Sequence, residues 1–294
     1  MNDDVFTDVV MRVFGLLAAA TASESPAAMA GGQGGQQQQQ RAGVDADYRP
    51  KIHLSMTARC VSDIEDLEAR EYRRRVYGPT HTDIFEARYE SSYLDLRLAA
   101  GKSVQDEAEA LPELYCIKQF YVQATAGPRL RHFAPRALSL VASRMLGLES
   151  VHWELCDNEK RDIGLRKRLR ADFAYTLQTL PSSLRHFNLL YDRRLPLDHA
   201  LLLAAARAVR RMPALWMMHF VLEPPVGNIG ELEVEYMIKA GTGGGGGRTA
   251  ELVVESHPMF HPDEEVVQIW REAAEEHAGA EFGFVVVVRD SRAW

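Results

Sequence analysis

The sequence predicts an α/β fold in which parallel strands alternate with helices that lie on one side of the sheet. Three observations predict it. A strand-like hydrophobic pattern recurs four times through the middle of the chain, at spacings of 31, 36 and 31 residues. Segments with helical periodicity separate the four copies. The 294 residues are 46% apolar and 26% charged, a composition typical of a globular protein that buries a sizeable core.

The repeated pattern is an apolar residue, a second one three residues later and a third two residues after that. The four copies are Ile117-Phe120-Val122, Leu148-Val151-Trp153, Leu184-Phe187-Leu189 and Leu215-Met218-Phe220. The last two apolar positions of each copy alternate with other residues, which is typical of a strand with one buried face. We therefore predict adjacent parallel strands at 117–122, 149–154, 185–190 and 216–221, and we expect Trp153 to be among the most buried residues.

Helical periodicity between the predicted strands predicts helices at 135–146, 167–180 and 198–211. Pro135 is a favourable first residue for the first helix, and Asp198 is a suitable N-cap for the third. Right-handed crossovers between parallel strands would place all three helices on one face of the sheet.

The N-terminal part of the chain predicts one helix and two further strands. Residues 5–20 have helical periodicity, and residues 51–56 and 93–98 alternate as strands do. The predicted apolar side of the helix comprises Val9, Val13, Leu16 and Leu17.

The C-terminal part predicts two strands, a helix and a last strand. Residues 231–238 and 251–256 alternate, and Pro262 opens a helix with acidic residues in its first turn, where the helix end is positive. The predicted apolar face of this helix comprises Val266, Trp270, Ala273 and Ala274. Residues 282–288 predict a strand buried on both faces, because 285–288 is a continuous run of valine.

Two glycine-rich segments interrupt the single domain that we predict over residues 1–294. Residues 30–45 contain the run Gln36 to Gln40 among glycines, without a large apolar side chain before Val44, and predict a disordered insertion. Residues 241–247 hold six glycines around Thr242 and predict a flexible loop. Neither segment needs a function of its own.

Charge, hydropathy and cysteine content exclude several classes of protein. The net charge of −7 argues against general nucleic-acid binding, and no apolar run is long enough to span a membrane. Three cysteines, Cys60, Cys116 and Cys156, can form neither a disulfide framework nor a known zinc pattern. We expect an intracellular protein of the cytoplasm or nucleus.

The sequence contains no recognisable catalytic or cofactor motif. His257 and His261 are four residues apart, but Pro258 between them disfavours a helical metal site. The glycines of 241–247 are not followed by Lys-Ser or Lys-Thr, and no Gly-x-Ser-x-Gly occurs. We therefore expect no metal, no cofactor and a non-enzymatic role.

Basic clusters occur at residues 70–75, 129–136 and 160–170. The second and third would lie in equivalent loops after successive strands and form one positive rim that holds an acidic or phosphorylated partner segment. The candidate residues of this rim are Arg129, Arg131, Arg166 and Arg168. The alternative interpretation is an ordinary solvated surface of helices and loops.

The register of the repeats predicts a polar row on the sheet face opposite the helices. This row comprises Tyr121, His152, Asn188 and His219, and a parallel row comprises Gln119, Ser150, His186 and Met217. Aromatic, imidazole and amide groups in a row suit recognition of an extended partner. Alternatively, another element, such as the insertion near Ala30 or the C-terminal strand, covers this face.

The repeat spacing resembles the strand signature of leucine-rich repeats. The position that Asn or Cys usually holds there falls at Thr125, Cys156, Asp192 and Glu223, so only one of the four conforms. The fold class we predict is therefore an irregular leucine-rich-repeat-like solenoid.

The chain from Val5 onward also resembles the C-terminal part of a family of fungal F-box-type proteins of unknown function. The stretches that carry the resemblance are 121–154, 180–185, 204–215 and 268–288, with Phe-Ala-Pro-Arg-Ala-Leu at 133–138. The resemblance implies a target-binding module of a cullin-type ubiquitin-ligase adaptor. The F-box itself opens with Leu-Pro-x-Glu-Ile, whereas Leu-Pro occurs here only at 111, 180 and 195.

Docking onto a ligase is accordingly in doubt: either the F-box lies upstream of this sequence or the protein lacks one. The expected function is capture of an unidentified protein target without catalysis. The alternative is a scaffold or interaction protein unrelated to ubiquitin ligases.

Overall fold

The computed structural model describes residues 3–22, 51–57, 76, 93–98, 104–123, 132–157, 163–193, 199–223, 232–240, 248–256, 262–278 and 281–288. In chain order the elements are α1 (Asp3–Ala22), β1 (Ile52–Met56), β2 (Tyr93–Leu94), α2 (Val104–Glu109), β3 (Ile117–Val122), β4 (His132–Phe133), α3 (Pro135–Ser143), β5 (Ser150–Asp157), α4 (Ile163–Thr176), β6 (His186–Arg193), α5 (His199–Val209), β7 (Met217–Glu223), β8 (Leu232–Ala240), β9 (Arg248–Ser256), α6 (Glu264–Ala278) and β10 (Glu281–Val288).

The chain folds as a mixed α/β structure around one large, mostly parallel sheet. Its eight strands follow the order β1-β3-β5-β6-β7-β8-β9-β10. Only β8 runs antiparallel to its neighbours, β7 and β9, because β8 and β9 form a hairpin. The short strands β2 and β4 pair in parallel as a separate two-stranded sheet.

The four repeat strands lie where the sequence predicts them, side by side and parallel. The three intervening helices also form, although α4 begins at Ile163, four residues before its predicted start. Lys and Arg are good helix formers, so the basic run that the sequence pattern places in a loop extends the helix toward its N-terminus. A turn of 3₁₀-helix at Leu177–Thr179 then leads toward β6.

Helices α3, α4, α5 and α6 lie side by side in one layer and pack on one face of the sheet. Trp153 in β5 is fully buried, as predicted. Its ring meets Phe120 and Phe187 edge-on at centroid distances of 5.8 and 5.6 Å, and Phe173 of α4 at 6.3 Å. Aromatic rings from three strands and one helix therefore form the centre of the core.

Helix α1 forms as predicted, but of its predicted apolar side only Leu17 packs against the core. Phe6, Val10 and Phe14 are buried, whereas Val9, Val13 and Leu16 are exposed, Leu16 by 72%. The buried side includes two phenylalanines, and Phe6 packs against Phe133 at a centroid distance of 5.4 Å. The larger aromatic surface gains more from burial than the valines do, which explains why this side faces the core.

The predicted strand at 93–98 is wrong beyond its first two residues. Only Tyr93 and Leu94 pair, with His132 and Phe133, and both are buried rather than alternating. Asp95 then accepts a hydrogen bond from the amide of Leu96 and forms an ion pair with Arg136. These local polar contacts replace the hydrogen bonds that a longer strand would make.

The C-terminal part forms its two predicted strands, which pair antiparallel, and its predicted helix, with Trp270 fully buried beside Tyr236 at a centroid distance of 5.0 Å. The prediction that β10 is buried on both faces is wrong. Val285 and Val287 are exposed, since β10 is an edge strand of the sheet and the helices that the structure describes pack on its other face.

Several predicted features lie outside the described residues. They are the insertion at 30–45, the loop at 241–247, Cys60, the pair His257 and His261, and the rim residues Arg129 and Arg131. Among the helices that the structure describes, none is long and apolar enough to cross a membrane.

Candidate functional site

The polar row predicted from the repeat register is observed on the face of the sheet opposite the helices. Tyr121 pairs with His152, His152 with Asn188, and Asn188 with His219, each across adjacent parallel strands. Their sequence neighbours Phe120, Trp153 and Phe187 point into the core. Because strand side chains alternate, the four residues share the opposite face, which we call the open face.

The side chains of this row are half-buried. The side chains of His152 and His219 are 35% and 21% exposed. The Tyr121 hydroxyl donates to Gln119 Oε1 at 2.7 Å, and its ring lies 6.2 Å from that of His152. The His219 Nε2 is 2.7 Å from Glu233 Oε1. The row is thus held in place by its neighbours and still accessible to a partner.

The open face has two halves of different charge. Strands β3, β5, β6 and β7 present mainly hydroxyl, amide, imidazole and thioether groups together with the carboxylate of Glu154 beside His152. Strands β8 and β9 present four glutamates, which are Glu233, Glu235, Glu251 and Glu255. Lys239 pairs with Glu251. An extended partner therefore meets a mainly neutral half and an acidic half along the same row.

A groove of about 630 Å³ lies where β5, β6 and β7 begin, at the amino edge of the sheet. The second predicted row runs into it, because Gln119, Ser150 and His186 are paired in register and line the groove. Its other lining residues are Glu149, Arg185, Pro213, Ala214, Leu215, Trp216, Ile238 and Arg248. We call this the amino-edge groove.

Basic side chains surround the only carboxylate among these lining residues. Lys118 Nζ lies 3.1 Å from Glu149 Oε1. The hydrogen bond from Lys118, together with the charges of Lys118, Arg185 and Lys51, holds the pKa of the Glu149 carboxyl below its usual value. Burial, helped by the charge of Arg185, lowers the pKa of His186. The groove is thus positive in a protein whose net charge is −7.

Trp216 gives the groove an apolar surface. Trp216 is 48% exposed, which is unusual for a large aromatic residue. The ring meets His186 edge-on at a centroid distance of 4.5 Å. The main-chain amide of Trp216 donates to Arg185 O at 3.0 Å, so the indole and the guanidinium come from neighbouring strand starts.

The predicted basic rim is wrong for the residues of it that the structure describes. Arg166 and Arg168 lie within helix α4 rather than in a loop, and Arg166 is only 3% exposed. Consecutive helical residues point about 100° apart, so a run of basic residues cannot share one side of a helix. Arg168 is exposed on α4, and its role in binding stays a prediction.

Sequence reasoning missed the amino-edge groove. Its signal was present, because Lys118, Glu149, Arg185 and Trp216 each follow the first apolar residue of a repeat and so occupy equivalent positions. Arg248 had no such signal. It reaches the same edge only because the hairpin turns β9 to run parallel with β7.

The described residues include no group of three or more His, Cys, Asp or Glu side chains able to hold a metal ion. Cys116 is buried, and burial raises the pKa of its thiol. This cysteine therefore packs in the core.

No protein-family model, no curated protein and no solved structure matches the chain. We therefore infer the function from the geometry of this chain's own residues.

Proposed function

We propose that this chain is a protein-interaction module that captures an extended segment of a partner protein on the open face of its sheet. The observation that carries the proposal is the row Tyr121, His152, Asn188 and His219, which is in register, half-exposed and opposite the helices. Side chains with both apolar surface and hydrogen-bonding groups are those that protein interfaces favour. The proposal gives the chain a binding role and no catalytic one.

The proposal also covers the architecture of the repeat region. The units of strand and helix from β3 to β7 act as irregular leucine-rich-repeat-like repeats, with the open face as their binding surface. The support is the register itself, because equivalent repeat positions meet side by side across four strands. The hairpin β8–β9 ends the regular part by reversing the strand direction.

A pull-down with the full chain as bait tests the binding role. The double variant Tyr121→Ala with His152→Ala is compared with the parent and with Arg207→Ala, a matched surface change on helix α5. We expect parent and Arg207→Ala to retain the same proteins, and the double variant to lose at least one of them by about tenfold, the loss of roughly 1.4 kcal/mol of binding. Equal capture by all three baits would overturn the proposal.

The same experiment separates the two forms of the proposal. Cullin-type ligase components among the retained proteins would indicate the target-binding part of an F-box-type adaptor, which the sequence resemblance favours. Retained proteins without ligase components would indicate a scaffold unrelated to ubiquitin ligases. In both cases the open-face variant must reduce capture of the target.

A further inference from the structure

The amino-edge groove combines three features that together define a ligand. It is concave, it has a large exposed indole, and it has more basic groups than acidic ones. Its one lining carboxylate, Glu149, forms a salt bridge with Lys118. Within the described part of the chain, neither Arg185 nor Arg248 forms a salt bridge. A guanidinium that forms no salt bridge is available to an anion from outside.

We infer that the amino-edge groove binds an acidic peptide segment of the partner, with Arg185 and Arg248 holding carboxylates and Trp216 packing against an adjacent apolar side chain. The inference deepens the proposed function, on which it rests for the view that the ligand is a protein segment. It names the chemistry of that segment: Asp or Glu next to an aromatic or large aliphatic residue.

The charges of the open face fix where such a segment can lie. The glutamates of β8 and β9 repel an acidic chain from that half of the face. The groove begins where the mainly neutral half meets the amino edge, and Lys51 and Lys118 add positive charge there. An acidic segment is therefore directed toward the groove and away from the glutamates of β8 and β9.

The apolar part of the groove favours a peptide over a simple anion. Pro213, Leu215 and Ile238 line it together with Trp216. A free carboxylate or phosphate would leave this surface in contact with water, whereas an aromatic or aliphatic side chain would cover it. The Trp216 indole contacts His186 edge-on and is about half exposed, so part of its surface is available to a partner side chain.

A degenerate peptide pool tests the inference while the partner itself is still unidentified. The immobilised full chain is incubated with Ac-Gly-X5-Gly-amide, in which X is any residue except Cys, and the retained peptides are sequenced. We expect enrichment of Asp and Glu together with Phe, Tyr, Trp, Leu, Ile or Met. The charge-reversed variant Arg185→Glu with Arg248→Glu should lose the acidic preference and bind the parent's selected peptides at least about tenfold more weakly.

The fluorescence of Trp216 reports directly whether a peptide occupies the groove. Trp153 and Trp270 are fully buried, so in a Trp294→Phe background Trp216 is the exposed indole that acrylamide quenches. A selected acidic peptide should protect it from quenching, and about 0.5 M NaCl should weaken that protection because surface charges are then screened. The variant Arg207→Glu, a charge reversal on the helix layer, serves as the matched control and should behave as the parent does.

Several results would overturn the inference. They are a retained pool without acidic enrichment, a pool no larger than that on empty resin, and an acidic preference that survives the double charge reversal. Tighter binding of a ten-nucleotide oligothymidylate than of the selected peptides would assign the groove to nucleic acid instead.

Failure of this inference can be distinguished from failure of the proposed function. If the groove selects acidic peptides but Tyr121→Ala with His152→Ala leaves partner capture intact, the groove assignment stands and the open-face proposal fails. If the open-face variant loses capture while the peptide pool shows no acidic preference, the reverse holds.

Discussion

Strand β5 presents two opposite chemistries on its two faces. Val151, Trp153 and Leu155 point toward the helices and are buried, whereas His152 and Glu154 lie between them on the open face and are half-exposed. The same alternation continues into β6 and β7. Neighbouring residues of one strand therefore lie in two environments, the packed core and the half-exposed open face.

The two faces of the strand differ in how well they tolerate substitution. Burying a large apolar side chain stabilises a fold by about 1.5–3 kcal/mol, whereas a half-exposed polar residue contributes little. The helix-covered face is thus constrained by packing. The open face is free of that constraint, so its row of hydroxyl, imidazole and amide groups calls for a reason other than stability.

The strongest test of this contrast replaces two adjacent residues of β5. We expect Trp153→Ala to lower the free energy of unfolding by about 3–5 kcal/mol, because it removes the ring at the centre of the aromatic cluster and leaves a cavity. His152→Ala should change it by no more than about 0.5 kcal/mol. Urea unfolding followed by far-UV circular dichroism measures both, and equal losses would contradict the contrast between the two faces.

Trp153→Phe separates the contribution of the aromatic ring from that of the indole N–H at the same position. The indole Nε1 of Trp153 is buried, and no described residue accepts a hydrogen bond from it. Phenylalanine keeps an aromatic ring beside Phe120 and Phe187 and removes the unsatisfied donor. We expect a loss well below that of Trp153→Ala, about 1–2 kcal/mol. A loss equal to that of alanine would show that the ring contacts contribute little.

Two glycines offer a matched pair with a smaller effect. A Cβ at Gly147, just before β5, would lie 2.1 Å from the carbonyl oxygen of Tyr115, so the backbone must move. At Gly283, in β10, the nearest atom would be 3.8 Å away, which is an ordinary contact. We expect Gly147→Ala to cost about 2 kcal/mol or more, and Gly283→Ala to be neutral or stabilising by up to about 1 kcal/mol. Thermal unfolding of the two variants decides this, and equal midpoints would show that the turn before β5 adapts.

The ion pairs of Arg136 are a polar exception on the helix-covered side. Its guanidinium lies 3.3 Å from Asp95 and also pairs with Glu107, and its side chain is largely buried. Removing it with Arg136→Met leaves two carboxylates close together, so we expect a loss of about 1–3 kcal/mol at pH 7. Arg12→Met, which breaks the exposed pair with Asp8, should change stability by no more than about 0.5 kcal/mol.

The cost of Arg136→Met should depend on pH. Burial raises the pKa of Asp95 in the folded protein, although Arg136 opposes the shift. A carboxyl with a raised folded pKa weakens the fold as pH rises, because its charged form is the disfavoured one. Without Arg136 this effect grows, so the gap between parent and variant should widen from pH 4 to pH 7. A constant gap would mean that Asp95 does not respond to Arg136.

The repeat region could be predicted closely from the sequence. Trp153, Phe187 and Phe220 alternate with polar residues, and that period of two fixes which face each side chain occupies. The same period places Tyr121, His152, Asn188 and His219 in one row. Register is local information, since a shift by one residue would expose every core side chain.

Other features depend on contacts that a linear pattern does not contain. Helix α1 is apolar on two sides, and its buried side includes Phe6, which contacts Phe133 from a distant part of the sequence. A continuous run of valines such as that in β10 gives the same sequence pattern in an edge strand as in a central strand, so the pattern alone cannot show which faces are covered. The amino-edge groove joins Arg185 and Trp216 from the repeats with Arg248 from the hairpin, so its composition depends on where the sheet reverses direction.

The last prediction concerns the pH dependence of stability, which we expect to depend on a buried histidine on the helix-covered side. Burial lowers the pKa of His277 in α6, whose Nδ1 lies 3.4 Å from the hydroxyl of Tyr236. A histidine with a lowered folded pKa stabilises the protein above its unfolded pKa of about 6.5, and this contribution is lost as pH falls through the folded value. Stability should therefore decline between pH 7 and pH 5, and His277→Gln should make that decline shallower while costing less at pH 7 than Gly147→Ala does. Urea midpoints measured at half-unit steps of pH test this.

An unchanged slope in His277→Gln would mean that the acid sensitivity arises elsewhere in the protein. The next residue to replace would then be His186 in the amino-edge groove, because burial lowers its pKa as well.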